Sequence, residues 1–282
     1  MRSFLDSDFA RPLWDDAPID GAFTVEDPAA PVDAAVIVDV ARPWLLGYAP
    51  DQPNGRAMLV LGGGGYTALM AGREGYSVAR WLTSLGYHAY VLIYRFPTAT
   101  TGVAAPLDDA IAAMRTIRAE RRFAGVGVVG LSSGGHLAAC LAADYPSDWP
   151  DSPGAETIVA ARPDAMVIGY APISTNAKGR QIVADKPPLA PPEKQTMYDR
   201  LQPDAQLRPS PPPAFIVYSA NDSVVPQANA YRLNDAWRTA GGVAELHVFA
   251  DAPHGFALDT PDLPVSLWPE LCAAWLRQIG FR

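Results

Sequence analysis

The chain has 282 residues, 49% of them hydrophobic and 18% charged, which supplies a large core and excludes a disordered chain. Its 22 Lys and Arg against 30 Asp and Glu leave a net charge of -8 with no dense basic block, so nucleic acid is not an expected partner. No stretch approaches the ~18 consecutive apolar residues of a membrane span, and the two cysteines, Cys140 and Cys272, sit far apart in apolar helical patterns, against a metal knuckle or a disulfide framework.

The amino-terminal stretch "MRSFLDSDFARPLWDD" turns acidic within six residues and holds no uninterrupted apolar run, so the expectation is a cytoplasmic protein without a secretory signal. Within residues 1–50, "AAVIVDV" and "PWLLGYA" read as antiparallel strands added to one edge of a sheet. "RAMLVL" (56–61) reads as a buried strand running into the glycines Gly62–Gly65. A helix is predicted through "EGYSVARWLTSLG", with Val78, Trp81, Leu82 and Leu85 on one face and Gly86 at its carboxyl cap.

"AYVLIYR" (89–95) is the next strand, and Pro106 opens a helix carrying Leu107, Ile111, Met114 and Arg118 at helical spacing. "GVGVVGL" leads into "SSGGHLAACLAA", a strand, a bend and a helix. "DAMVIGYA", "AFIVYSA" and "AELHVFA" supply three further strands, with helices after Pro226 and around "WPELCAAWLRQI". This alternation predicts a single α/β domain over 1–282, a mostly parallel doubly wound sheet with helices on both faces. Residues 172–213 break the rhythm with ten of the chain's 28 prolines and read as a lid or cap insertion.

Gly130-Leu131-Ser132-Ser133-Gly134 fits G-x-S-x-G with Ser132 at its centre; centring on Ser133 puts Leu131 where the first glycine belongs. Taken alone, that spacing is as compatible with an ordinary turn as with a nucleophile. A serine hydroxyl needs an imidazole to take its proton, and of four histidines His254, in the loop "DAPHGFAL", is the best placed. His88 and His247 lie in strand patterns, and His136 one turn beyond Ser132 reads as a packing residue. Asp222, at the end of "AFIVYSA", is the candidate carboxylate, with Asp251 as its rival. The order Ser132, Asp222, His254 is that of α/β-hydrolases, and the run "LVLGGGGYTALM" offers backbone amides for an oxyanion.

From about Ala57 to Phe256, through "GGGGY", "GLSSGGHLAA", "PPAFIVYSANDSVVP" and "ELHVFADAPHGF", the sequence resembles the α/β-hydrolase esterases of the acetylxylan esterase and hormone-sensitive-lipase-like group, including endoxylanase-associated esterases. The resemblance implies an oxyanion hole made by the amides of Gly64 or Gly65 and of Ser133, whose side chain is then expected to be dispensable. Gly62 stands where relatives carry His or Pro, and Glu74 where they also carry Glu. Glu74 reads either as a first-turn helix charge or as a substrate contact, and Tyr66, with Tyr198 and Trp149, either as a substrate wall or as packing.

The function so implied is a serine carboxylic-ester hydrolase working through an acyl-enzyme on a small ester, an acetylated sugar by family, with no cofactor or metal. Two alternatives stay open: a hydrolase-fold peptidase or amidase, and a hydrolase fold kept as a non-catalytic binding module.

Overall fold

The computed structural model describes residues 7–14, 18–149, 153–183 and 186–282; part of the amino-terminal stretch read for a leader lies outside them. In chain order the strands are β1 (Phe9–Pro12), β2 (Phe23–Val25), β3 (Ile37–Val40), β4 (Trp44–Tyr48), β5 (Ala57–Leu61), β6 (His88–Ile93), β7 (Val126–Leu131), β8 (Met166–Gly169), β9 (Ala214–Ser219) and β10 (Ala244–Phe249). The helices are α1 (Ser77–Ser84), α2 (Ala105–Ala119), α3 (Ser133–Cys140), α4 (Ala155–Ala160), α5 (Pro192–Arg200), α6 (Pro203–Gln206), α7 (Ala228–Thr239) and α8 (Trp268–Gln278).

Eight strands form one sheet in the order β1-β4-β6-β5-β7-β8-β9-β10. The six from β6 to β10 run parallel, and β4 and β1 add antiparallel at one edge. Every residue of β4, β5, β7, β8 and β9 is buried, as expected for strands covered on both faces. The mostly parallel doubly wound sheet predicted from the alternation is the one observed. β5 lies between β6 and β7, so the chain turns one way after β5 and the other way before β7. Loops leaving these two strands meet at the carboxyl edge of the sheet, where sites in such sheets lie.

One expectation needs correction. "PWLLGYA" does supply the edge strand β4, but "AAVIVDV" does not join the sheet: β3 pairs with β2 in a separate antiparallel ribbon. The pattern of β3 explains this, since Ile37 and Val40 are buried while Val38 and Asp39 face water, too polar for a two-sided core. The ribbon instead braces the segment after the glycine run. Ile37 and Leu69 exchange both backbone hydrogen bonds, at 2.9 and 2.8 Å, and the Gly72 N–H donates to the Ala35 carbonyl at 2.8 Å.

The insertion over 172–213 is also more regular than its prolines suggested, because Pro192 and Pro203 each stand in the first turn of a helix, where a missing N–H is harmless. Met197, Tyr198 and Leu201 from this region are buried, and Arg180 and Asp204 pair across it at 2.5 Å. Both cysteines are free and buried. Among the described residues no helix is long and apolar enough to cross a membrane.

The turn from β7 to α3 leaves no room for side chains on its glycines. A Cβ built on Gly130 would lie 2.2 Å from the Gly134 carbonyl oxygen, and one on Gly134 would lie 2.0 Å from that of Leu61. Backbone cannot yield as a side chain does, so Gly130→Ala is expected to lower stability by about 2–3 kcal/mol. A urea-unfolding midpoint indistinguishable from the parent would show that the junction has more slack than these distances allow.

Candidate active site

Ser132 closes β7 and precedes α3 with φ 52° and ψ −125°, a conformation L-residues rarely adopt. Its N–H donates to the Gly169 carbonyl at 2.9 Å, and its own carbonyl accepts from Gly135 and His136 at 2.9 and 3.1 Å. These bonds hold the strain and lift the side chain off the sheet edge.

The Ser132 hydroxyl lies 3.0 Å from His254 Nε2, and His254 Nδ1 lies 2.7 Å from Asp222 Oδ2. A carboxylate only accepts, so Nδ1 carries the proton, and the Nε2 lone pair faces the hydroxyl. Asp222 follows β9 with its side chain wholly buried, and its other oxygen accepts the N–H groups of Val224 and Val225 at 2.8 Å each. Asp251 does not reach the imidazole; it accepts the side-chain amide of Asn221 instead. The three residues named from the sequence are therefore brought into one hydrogen-bonded chain. Such a chain can take a proton from a hydroxyl and return it to a leaving group.

The glycine run passes against this chain, with a Cβ on Gly63 falling 2.6 Å from Ser132 Cβ. Its amides differ in what they do. The Gly63 N–H donates to Glu74 Oε2 at 2.6 Å, and the Gly65 N–H donates to Ser133 Oγ at 2.9 Å. Among the described residues, the N–H groups of Gly64 and Ser133 have no partner. Gly65, one of the two glycines named from the resemblance, thus has its donor occupied, and Gly64 is the one left able to meet an oxyanion. The Ser133 side chain, expected to be idle, is wholly buried and is the group that occupies it.

Glu74 also departs from both readings given above. It lies in a wide π-helical turn, Ala71–Tyr76, that leads into α1, and is only 3% exposed, so it is neither a solvated helix charge nor a substrate contact. Its second oxygen accepts the Tyr170 hydroxyl at 3.0 Å, and that hydroxyl accepts the Ala257 N–H at 3.3 Å. The Tyr170 ring, just beyond β8, stands edge-on to His254 with centroids 5.3 Å apart. Glu74 and Tyr170 together therefore tie the glycine run to the loop that carries His254. Burial pushes the Glu74 carboxyl above its ordinary range, opposed by the Gly63 N–H and the Tyr170 hydroxyl. Tyr170 escaped the sequence reading. Its signal was its place at the carboxyl end of a sheet strand.

Tyr66 is fully buried and forms no substrate wall. Its hydroxyl lies 2.9 Å from His136 Nδ1, and its ring meets Tyr94 and Tyr198 edge-on. Tyr198 and Trp149 are likewise packed away. His136 Nε2 donates to the Leu201 carbonyl at 2.9 Å, so Nδ1 accepts from Tyr66, and the neutral ring fastens the insertion to α3. Burial pushes its pKa down to about 4. No group of three His, Cys, Asp or Glu among the described residues is placed to hold a metal ion.

Comparison with known proteins accords with this geometry. A family model described as the alpha/beta hydrolase fold matches residues 58–258, and the chain belongs to that family. An acetylxylan esterase of Xylanibacter ruminicola is 25% identical over 256 residues, covering 85% of this chain and 49% of the relative. An endo-1,4-beta-xylanase B of Butyrivibrio fibrisolvens is 29% identical over 224 residues, covering 74% of this chain and 33% of the relative. The chain thus spans about half and a third of the length of these curated relatives. Among solved structures, an acetyl ester-xyloside bifunctional hydrolase of Caldicellulosiruptor lactoaceticus superposes with a TM-score of 0.69 at 29% identity, covering 97% of each chain. A Thermogutta terrifontis esterase, at 23% identity and a TM-score of 0.66 over 94% of this chain and 95% of its own, shares the fold.

Two outcomes are expected from these contacts. Ser133→Ala removes the acceptor of the Gly65 N–H and should cost about 1 kcal/mol of stability together with a several-fold loss of turnover; an unchanged kcat and unfolding midpoint would return the side chain to the idle role. The second concerns His136, whose folded pKa of about 4 lies below its ordinary 6.5. The unfolded chain binds the proton first, so this residue's contribution is present above about pH 6.5 and is lost as pH falls toward 4, on the order of 3 kcal/mol in all. Unfolding free energies measured across that window should show a slope reduced by about one proton in His136→Gln. An identical slope in the variant would rule this contribution out.

Proposed function

We propose that the protein is a serine carboxylic-ester hydrolase working through an acyl-enzyme. The observation that carries this reading is the unbroken chain from the Ser132 hydroxyl through His254 to the buried Asp222, set on a strained turn beside two unpaired amides. Ser132 Oγ attacks the ester carbonyl as its proton passes to His254 Nε2. The tetrahedral oxyanion lies against the N–H groups of Gly64 and Ser133, and Asp222 steadies the imidazolium. His254 then protonates the departing alcohol, and a water activated by the same nitrogen hydrolyses the acyl-serine. Every step uses protein groups and water alone.

The relatives support a choice of substrate class. Acetyl esters of carbohydrates are proposed because an acetylxylan esterase and an acetyl ester-xyloside hydrolase stand among them. The chain is read as one hydrolase unit, with residues 172–213 as its cap, acting in the cytoplasm on small esters. Non-catalytic hydrolase folds characteristically lack a member of the Ser–His–Asp set, and here all three are bonded to one another.

With p-nitrophenyl acetate as substrate, Ser132→Ala is expected to lower kcat by about 10⁶-fold, and Asp222→Asn, which permits the wrong imidazole tautomer, by about 10⁴-fold. Covalent labelling by a fluorophosphonate should disappear in Ser132→Ala. Undiminished hydrolysis or labelling in that variant would sink the proposal.

A further inference from the structure

Around the candidate site Gly64, Gly65, Ser132 and His254 are partly exposed, and so is Lys194 from α5. A Cβ built on Gly65 would lie 3.5 Å from Lys194 Nζ, so the ammonium sits at contact distance beside this glycine. Lys194 is the third residue of α5, where the positive end of the helix dipole opposes a cation. Burial and the neighbouring Lys186 ammonium both push its pKa below the ordinary lysine range. Lys186 donates to the Asn176 side-chain oxygen at 2.5 Å, and among the described residues no carboxylate lies within ion-pair distance of either lysine. Helix dipole, partial burial and a like-charged neighbour each destabilise an ammonium in this place, and the attraction of one bound anion would offset them.

We propose that Lys194, backed by Lys186, forms a carboxylate-binding subsite beside the glycine run, so that the preferred substrates are acetyl esters whose alcohol part is acidic, such as O-acetylated uronic acids. The inference rests on the esterase reading above. The acetyl group itself has no room for a charge, which assigns the carboxylate to the alcohol. A lysine is suited to this task because its point charge meets a carboxylate from several directions, and sugar carboxylates vary in setting.

The test compares an O-acetylated methyl glucuronoside with the corresponding O-acetylated methyl glucoside, which differ only by carboxylate against hydroxymethyl, by acetate release. The acidic sugar is expected to have a kcat/KM higher by about tenfold or more, as one charge-assisted hydrogen bond contributes. The ratio should fall toward one in Lys194→Ala, drop below one in Lys194→Glu, and be largely kept in Lys194→Arg. A ratio near one in the parent protein, or one that Lys194→Ala leaves unchanged, overturns the subsite. If neither sugar is turned over, calorimetry with methyl glucuronoside on the Ser132→Ala protein decides instead: binding abolished by adding Lys194→Ala supports the subsite, and absent binding overturns it. Failure of the esterase reading is seen separately, as p-nitrophenyl acetate hydrolysis that does not depend on Ser132.

Discussion

The structure depends on how closely two neighbouring backbones pass where β5 and β7 end. Leu61 and Gly130 are register partners, and the chain leaving each strand is folded over the other with no side chain between them. Gly63, Gly130 and Gly134 each occupy positions where a Cβ would meet backbone or Ser132 at 2.8 Å or less. That approach puts the hydroxyl of one loop beside the amides of the other. A β-branched or even a methyl side chain at any of these positions would part them, and with them the geometry of every step that needs both.

Backbone packed this tightly must still satisfy its polar groups, and the glycine run does so through side chains from three different parts of the fold. Tyr94, just beyond β6, donates to the Gly62 carbonyl at 2.6 Å. Glu74 takes the Gly63 N–H, Ser133 takes that of Gly65, and His136 holds the ring that follows through the Tyr66 hydroxyl. Between the engaged amides of Gly63 and Gly65, that of Gly64 has no partner among the described residues. The loop is thus preorganised, and the unpaired donor stands out because its neighbours are all engaged. Glu74 is the costly member, a buried carboxyl whose two oxygens are both used to bind separate loops to one another.

Much of this was legible in the sequence because the signals were local. Strand, bend and helix around Ser132 follow from an apolar run, glycines two residues either side of the serine and an apolar helical continuation, and His254 and Asp222 announced themselves by standing at strand ends. What could not be read depended on contacts made at long range. Glu74 looks like any acid in the first turn of a helix until the sheet covers it. Tyr66 looks like an aromatic at a cleft until His136, seventy positions away, takes its hydroxyl. Ser133 and Gly65 each look complete alone, and only the meeting of two loops shows that one silences the other's amide. The β3 ribbon failed for a related reason, since alternation predicts that a strand exists without naming its partner.

That ribbon also separates ancestry from architecture. The segment shared with the family begins at residue 58, yet the strand that grips Leu69, at the exit of the glycine run, is contributed by residues before that boundary. A family core can therefore be buttressed by residues that lie outside the segment the family model matches. The ribbon is thus a place where the rigidity of the glycine-run loop can change without altering Ser132, Asp222 or His254.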